Sequence, residues 1–170
     1  MSHITETQKK LFLMQQVYAT LFSLSNKLQA KGDEHLGGGR SRHLEGLTTR
    51  QLMMMISIMH LPEGEASLNN IARMLGTSKQ NVKQLVSILE KHGYVVVLPS
   101  RLDRRSSNVR ITEAGKQITL KCGTMGNAFL EKISESFTEE ELETLWSLLR
   151  KLYRFDGEEQ ADFEEEATFR

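Results

Sequence analysis

Apolar residues at alternating spacings of three and four open the chain, and this pattern predicts a long amphipathic helix in TQKKLFLMQQVYATLFSLSNKLQ. The positions that carry the pattern are Leu11, Met14, Tyr18, Leu21 and Leu28, with one break at Ser25. The next stretch, AKGDEHLGGGRSRHLEG, has no periodicity and contains three consecutive glycines. It is therefore predicted to be a flexible connection to the rest of the chain.

A second apolar stripe follows this connection. Thr48 or Thr49 can cap a helix through RQLMMMISIMH, and Pro62 and Gly64 are placed to end it. Its inward positions are Leu52, Met55, Ile56 and Met59. A methionine stripe of this kind most often fills a core, although the same flexible side chains can also form an adaptable ligand surface.

The segment SLNNIARMLGTSKQNVKQLVSILEKHGYVVV predicts two short helices joined by a turn. Ser67 can cap the first helix, Gly76 interrupts it, and Thr77 with Gln80 has the spacing of a capping box for the second. Gly93 is placed to stop the second helix. The inward positions are Leu68, Ile71, Ala72 and Leu75, then Val82, Leu85, Val86 and Leu89. Two short helices around a turn of about four residues with a glycine form the helix-turn-helix pattern.

The opposite face of the second helix indicates nucleic-acid binding. It presents amides, a hydroxyl and cations without a carboxylate, namely Gln80, Lys83, Gln84, Ser87 and Lys91, with Asn81 and Ile88 at its edge. Amide side chains donate and accept hydrogen bonds together, as reading a base edge requires, and lysines suit phosphates or guanine. The alternative is an ordinary solvated helix face, which would more usually include glutamates.

A β-hairpin is predicted after this helix. YVVVL is rich in β-branched residues, NVRI resumes alternation, and the tip lies within LPSRLDRRSSNVRIT. Arg101, Arg104 and Arg105 at this tip are suited to the narrow, strongly negative minor groove, with Asp103 orienting an arginine. The alternative is a charged hairpin tip that only meets solvent.

The distribution of charge supports this interpretation, although the total charge does not. The chain has 22 basic and 22 acidic residues, a net charge of +0. Residues 67–112 hold eight basic and two acidic residues, a net of +6, whereas residues 137–170 hold four basic and eleven acidic residues, a net of −7. The neutral average therefore combines a basic middle, where the helix-turn-helix and the hairpin lie, with an acidic end.

The order of LTTRQ, SLNNIARMLGTSKQNVKQLVSILEKHGYV, DRR and VRITEAGK resembles the MarR family of winged helix-turn-helix transcription regulators over about residues 10–155. The resemblance implies an obligate homodimer on a pseudo-palindromic operator, usually as a repressor that small ligands or oxidants release. It also implies a recognition helix over 78–92 in the major groove and a wing over 98–108 at the minor groove. The DNA-contact candidates are Ser78, Lys79, Gln80, Asn81, Lys83, Gln84, Ser87, Arg101, Arg104 and Arg105, with Asp103 orienting the wing. One departure is that Val97 and Leu98 stand where the family often has an arginine.

The predicted fold class is mainly α with a small β-hairpin wing, a winged helix-turn-helix plus a helical dimerisation domain. Residues 1–46 form the first dimerisation helix and linker, 47–112 the DNA-binding domain, 113–155 the last dimerisation helices, and 156–170 an acidic tail. Disorder is the default interpretation of that tail, and an ordered extension packed on the dimer is the alternative.

The helices after the hairpin support a dimer independently of the resemblance. Thr112 begins one helix, and Thr138 with Glu141 forms a capping box before LETLWSLLRKLY. The apolar stripes are Ile118, Cys122, Met125, Phe129 and Ile133, then Leu142, Leu145, Leu149 and Leu152, with Trp146 and Tyr153 beside them. These stripes exceed what a small winged domain needs to cover itself, so a second copy is the simplest partner.

An effector and a redox role are weaker hypotheses. A crevice between the dimerisation helices and the winged domain, lined by Phe12, Tyr18, Met55 and Met59, is the candidate effector site. Cys122, the one cysteine, lies on an apolar stripe, where a thiol is usually a small buried hydrophobe, so oxidant sensing is the minority interpretation.

Enzyme, metal and membrane functions find no support in the sequence. The five histidines show no paired ligand spacing, and no phosphate-binding loop, nucleophile elbow or zinc-helix signature occurs. A single cysteine, no leader and no apolar run of roughly 18 residues predict a cytoplasmic protein without cofactor or membrane partner. The alternative function is a ligand-binding or protein-interaction module that keeps the winged fold without binding an operator.

Overall fold

The computed structural model describes residues 5–36, 46–99, 107–157 and 162–164. The elements in these ranges are α1 (Glu6–His35), α2 (Thr49–His60), α3 (Leu68–Met74), α4 (Lys79–Lys91), β1 (Val95–Pro99), β2 (Ser107–Ile111), α5 (Glu113–Ser134) and α6 (Glu139–Tyr153). The two strands pair antiparallel, with Val95 opposite Ile111 and Pro99 opposite Ser107. The predicted fold class, mainly helical with one β-hairpin, is confirmed.

A serine or threonine caps the start of each of these helices, and at α4 the capping residue differs from the predicted one. Thr48 caps α2 and Thr138 caps α6, each in a capping box with the residue three positions on. The predicted capping box of Thr77 with Gln80 is wrong. Ser78 is the N-cap of α4, and its Oγ accepts from the backbone N–H of Asn81 at 3.2 Å. Helix α4 therefore starts one residue later than predicted, because Ser and Thr are adjacent and either can cap.

Helix α1 extends further than its apolar pattern. The predicted connection starts at residue 30, yet the helix continues through Gly32 to His35. A Cβ at position 32 would lie 2.5 Å from Thr49 Oγ1, so the glycine permits α1 to touch the start of α2. The Asp33 carboxylate then accepts from the backbone N–H of Thr49 at 2.6 Å. The extra turn of α1 thus caps the start of α2. The rest of the predicted connection, residues 37–45, lies outside the described ranges.

One apolar core joins α2, α3, α4, the hairpin and the first half of α5. Its fully buried members include Met54 and Met55 of α2, Ile71, Val82, Val95 and Cys122. Met54 was not on the predicted stripe, because two adjacent methionines can both face inward when α2 is covered from more than one side. The core methionines confirm the interpretation of this stripe as core filling.

A glycine sets the position of α5 against the hairpin. A Cβ at position 115, in the TEAGK motif, would overlap the carbonyl oxygen of Tyr94 and lie 2.9 Å from Ile111 Cγ2. The absent side chain lets Thr112 donate from its backbone N–H to the Tyr94 carbonyl at 3.0 Å. Thr112 Oγ1 also donates to the Gly93 carbonyl at 2.6 Å. The start of α5 is therefore fastened to the base of the hairpin.

Helices α1 and α6 leave much of their apolar surface exposed. No residue of α6 is buried, and α1 buries only Gly32. The exposed apolar side chains are Leu11, Phe12, Leu13, Met14, Val17, Tyr18, Phe22 and Leu24 in α1, and Leu142, Leu145, Trp146, Leu148 and Leu149 in α6. Within the described ranges, none of the helices combines the length and apolar composition that crossing a bilayer requires.

Part of the acidic tail lies against the rest of the chain. Phe163 is partly buried against the core, and Asp162 and Glu164 both pair with Arg150 of α6. These three residues pack on the same chain, whereas disorder of the tail or its packing on a dimer stays a prediction. The sequence could not indicate this packing, because the partner surface belongs to distant parts of the chain.

Candidate nucleic-acid interface

Helix α4 is held rigidly by its inner face and by the turn before it. Val82, Val86 and Leu89 are buried in the core. Gly76 adopts a φ of +59°, which an L side chain rarely tolerates, and so reverses the chain between α3 and α4. The backbone N–H of Thr77 closes this turn by donating to the Ala72 carbonyl at 2.9 Å. The rotation of α4 about its own axis is therefore determined by the core.

The outer face of α4 carries the predicted polar residues. Lys79, Gln80, Asn81, Lys83, Gln84 and Ser87 are all exposed. Ile88 is 42% exposed beside them, so this face also offers an apolar surface of the kind that meets a thymine methyl group. Glu90, near the C-terminal end of the helix, is the first carboxylate after its N-cap. The N-terminal half of α4 is thus free of negative side chains.

Two of the predicted DNA-contact residues also stabilise the start of α4. Ser78 Oγ accepts from the Asn81 backbone N–H, and the Asn81 side-chain amide donates to Thr77 Oγ1 at 3.0 Å. These bonds order the first turn, whose backbone N–H groups carry the positive end of the helix dipole. Sequence spacing does not show this dual use, because Ser78 and Asn81 are equally plausible as side chains that face a ligand.

The base of the hairpin is fixed against the helix-turn-helix. The backbone N–H of Val109 donates to the Ala66 carbonyl at 2.9 Å, and Asn108 Nδ2 donates to the Gly64 carbonyl at 2.7 Å. Asn108 was not predicted to be a positioning residue, because its signal in the sequence is only an amide at an alternating strand position. Arg101, Asp103, Arg104 and Arg105 lie in residues 100–106, outside the described ranges. Their contacts stay a prediction.

Strand β1 of the hairpin exposes a run of apolar side chains. Val96, Val97 and Leu98 are each 36–38% exposed, and Arg110 on β2 is exposed as well. Val97 and Leu98 occupy the positions where an arginine was expected from the resemblance. The base of the wing therefore offers a charged side chain from β2 and none from these positions of β1.

Two of the four effector candidates lie in the core, and the other two are exposed on α1. Met55 is fully buried and Met59 partly buried in the core, whereas Phe12 and Tyr18 are 60% and 72% exposed on α1. Helix α1 meets α2 at Gln29 and Asp33, where Thr49 Oγ1 donates to the Gln29 carbonyl at 3.2 Å. At 1.5 Å per residue, Tyr18 lies roughly 16 Å along the helix from Gln29. One chain does not bring the four side chains together, and their role stays a prediction.

Comparisons with known proteins agree with this geometry. Residues 45–106 match the model of the MarR family. The transcriptional activatory protein BadR of Rhodopseudomonas palustris is 31% identical over 110 residues, which cover 64% of this chain and 59% of that protein. The matched segment thus spans less than two thirds of BadR.

Solved structures share the fold. The crystal structure of a MarR/EmrR family transcriptional regulator from Acinetobacter sp. ADP1 has a TM-score of 0.70 and 23% identity, covering 85% of this chain and 97% of that one. The S. aureus MepR–DNA complex has a TM-score of 0.65 and 20% identity, covering 79% of this chain and 94% of that one. The match over the helix-turn-helix and hairpin is thus to the MarR family, and the solved structures show that this chain shares their winged helix-turn-helix fold.

Proposed function

We propose that this chain is a sequence-specific DNA-binding transcription regulator that acts as a homodimer. The observation that carries the proposal is the outer face of α4, where exposed amides and lysines stand without a carboxylate before Glu90. A duplex is a polyanion with hydrogen-bonding base edges, so it suits cations and amides on one rigid face. The match of residues 45–106 to the MarR family model supports the same conclusion, and the MepR structure contains DNA.

The proposed roles divide by chemistry. Gln80 and Gln84 read base edges in the major groove, since an amide can pair in a bidentate way with adenine. Lys79 and Lys83 neutralise phosphates and contribute mainly to affinity and its salt dependence. Arg104 and Arg105 at the wing are proposed to reach the minor groove, with Asp103 orienting them.

A second copy of the chain is the proposed partner of α1 and α6. Apolar side chains cover long faces of both helices without becoming buried, and such surfaces mark interaction sites. A dimer with a two-fold axis would place two α4 helices on half-sites about one duplex turn apart, ~34 Å. The expected operator is therefore pseudo-palindromic.

Repression relieved by a small ligand is the proposed mode of regulation, as family resemblance implies, whereas the name of BadR describes activation. Expression of a reporter gene placed behind the recovered operator, measured with and without the protein, distinguishes repression from activation. The partly buried Met59 is the position from which to probe an effector crevice. A ligand whose affinity is the same for Met59→Trp as for the unmodified protein would argue against that crevice.

The first test is selection of bound duplexes from randomised DNA at about 0.15 M salt, where non-specific attraction is already screened. We expect an inverted repeat with half-sites about one turn apart. Gln84→Ala should then weaken the selected site by about 1–3 kcal/mol and relax one base position. The matched control is Gln117→Ala, because Gln117 is exposed on α5, away from α4.

Lysine variants test the phosphate role separately. Lys83→Ala should weaken all duplexes and reduce the salt slope by about one unit, whereas Lys121→Ala on α5 should change neither. If no sequence is enriched and both α4 variants behave like their controls, the major-groove assignment is wrong. A dimer that binds no duplex under these conditions would instead favour the interaction-module alternative.

A further inference from the structure

The tail residues Asp162, Phe163 and Glu164 lie at a junction of α6 with the DNA-binding domain. The ring of Phe163 stands edge-on to that of His60, the last residue of α2, at a centroid distance of 5.2 Å and an angle of 71°. His60 Nδ1 lies 2.9 Å from the Ile56 carbonyl, a hydrogen bond that holds the imidazole in place. The tail therefore makes an apolar contact with the end of α2.

The charged side chains of the same segment hold α6. Asp162 pairs with both Arg150 and Arg154, at 3.4 Å from Arg150 Nε, and Glu164 pairs with Arg150. Asp162 is well covered, with 9% of its side chain exposed, and its Oδ1 accepts from the Glu164 backbone N–H at 3.0 Å. Burial alone would raise the pKa of Asp162, but this N–H and the two guanidinium groups outweigh it and lower the pKa. The carboxylate is therefore ionised and paired at neutral pH.

A third contact links the same end of α6 to the helix-turn-helix. Tyr153, the last residue of α6, donates its hydroxyl proton to the Met74 carbonyl at 2.9 Å. Met74 is buried and is the last residue of α3, two positions before the Gly76 turn. Burial, and then the charges of Asp162 and Asp156, raise the pKa of Tyr153, so the hydroxyl keeps its proton. The tail therefore links the end of α6 to the end of α2, and Tyr153 links the end of α6 to the end of α3.

We propose that residues 162–164 form a latch that holds the C-terminal end of α6 against α2 and α3 and so restrains the helix-turn-helix relative to α6. Phe163 attaches the latch to the DNA-binding domain, and the carboxylates of Asp162 and Glu164 attach it to α6. Within one chain no residue of α6 is buried, so the contacts at its C-terminal end contribute to how the chain itself orients this helix. That the restrained unit binds DNA rests on the proposed function, whereas the latch itself does not.

Hydrogen exchange of the full-length protein without DNA tests the latch. The critical amides are those of Leu75, Gly76 and Thr77, which donate to carbonyls of α3. In Phe163→Ala their exchange should accelerate about two- to tenfold, because the restraint on the end of α3 is lost. The matched control is Phe155→Ala, because Phe155 lies just after α6 with 82% of its surface exposed.

A second pair of variants separates the latch from core packing. Asp162→Asn should accelerate the same amides, since it weakens the attachment to α6 without changing the Phe163 ring. Glu143→Gln, an equally small change at an exposed position of α6, should have no such effect. Equal exchange in Phe163→Ala and Phe155→Ala would overturn the proposal. Acceleration spread evenly over α5 and the hairpin would also overturn it, because the tail would then only add general stability. Neither result depends on whether the protein binds DNA.

Discussion

Substitution of Gly115 by alanine tests whether close approach at the hairpin base determines the position of α5. An added Cβ would overlap the Tyr94 carbonyl oxygen and press on Ile111. The overlap is with backbone, so it cannot be relieved by a rotamer change, and α5 must move away from β1. Such a movement would stretch the two hydrogen bonds of Thr112 to Tyr94 and Gly93, which are 3.0 Å and 2.6 Å long.

The expected loss of stability follows from these contacts. Overpacking of a tight site costs about 1–3 kcal/mol, and each of the two hydrogen bonds contributes about 1 kcal/mol. Replacing glycine by alanine inside a helix returns about 1 kcal/mol. We therefore expect Gly115→Ala to lower the free energy of unfolding by about 2–4 kcal/mol.

Urea unfolding at a fixed protein concentration measures this change. The control is Gly123→Ala in the same helix, where a Cβ would meet nothing within 4 Å. That variant should leave stability unchanged or raise it by up to about 1 kcal/mol. Equal midpoints for the two variants would refute the close-contact reasoning. Because the displaced segment ends the hairpin, Gly115→Ala should also weaken DNA binding more than Gly123→Ala does.

Three further predictions concern the junctions between helices. Asp33→Ala should destabilise the protein by about 1–2 kcal/mol in urea, because the first N–H of α2 loses its carboxylate partner, and an unchanged midpoint would contradict this role. Tyr153→Phe should cost about 1 kcal/mol, because the Met74 carbonyl loses its donor; equal thermal midpoints for the variant and the wild type would exclude that bond. The pKa of Asp162 is lower in the folded protein than its usual value of about 3.9. Its contribution to the free energy of unfolding is therefore fully present above that usual pKa and is lost as the pH falls through the lower, folded-state pKa. The stability difference between the wild type and Asp162→Asn should therefore shrink as the pH falls below about 4, and a difference independent of pH would contradict the ion pairs.

Features that depend on neighbours in sequence were predictable. The spacing of Val82, Val86 and Leu89 decided which face of α4 is buried, and so which polar side chains are exposed. Gly93 adopts a φ of +73°, and its predicted role at the end of α4 is confirmed. The capping box of Thr138 was equally readable, because both partners lie within one turn.

Features that depend on distant partners were not predictable. The last turn of α1 contains Gly32 and Asp33, which read as a loop, and only contact with Thr49 explains why it is helical. The position of the Phe163 side chain depends on contact with His60, about a hundred positions earlier in the chain. The effector candidates depended on how α1 lies against α2, and apolar periodicity carries no information on that packing.

Under the proposed function, the bonds at the hairpin base affect how the protein can change its operator. Asn108, Val109 and Thr112 fasten the returning strand by hydrogen bonds to four carbonyls, those of Gly64, Ala66, Gly93 and Tyr94. The frame that carries the wing is thus independent of the residues at its tip. Substitutions or changes of length between positions 99 and 107 would leave these bonds in place. If the proposed function holds, a lineage with this arrangement can explore new operators through the hairpin tip while α4 keeps its place.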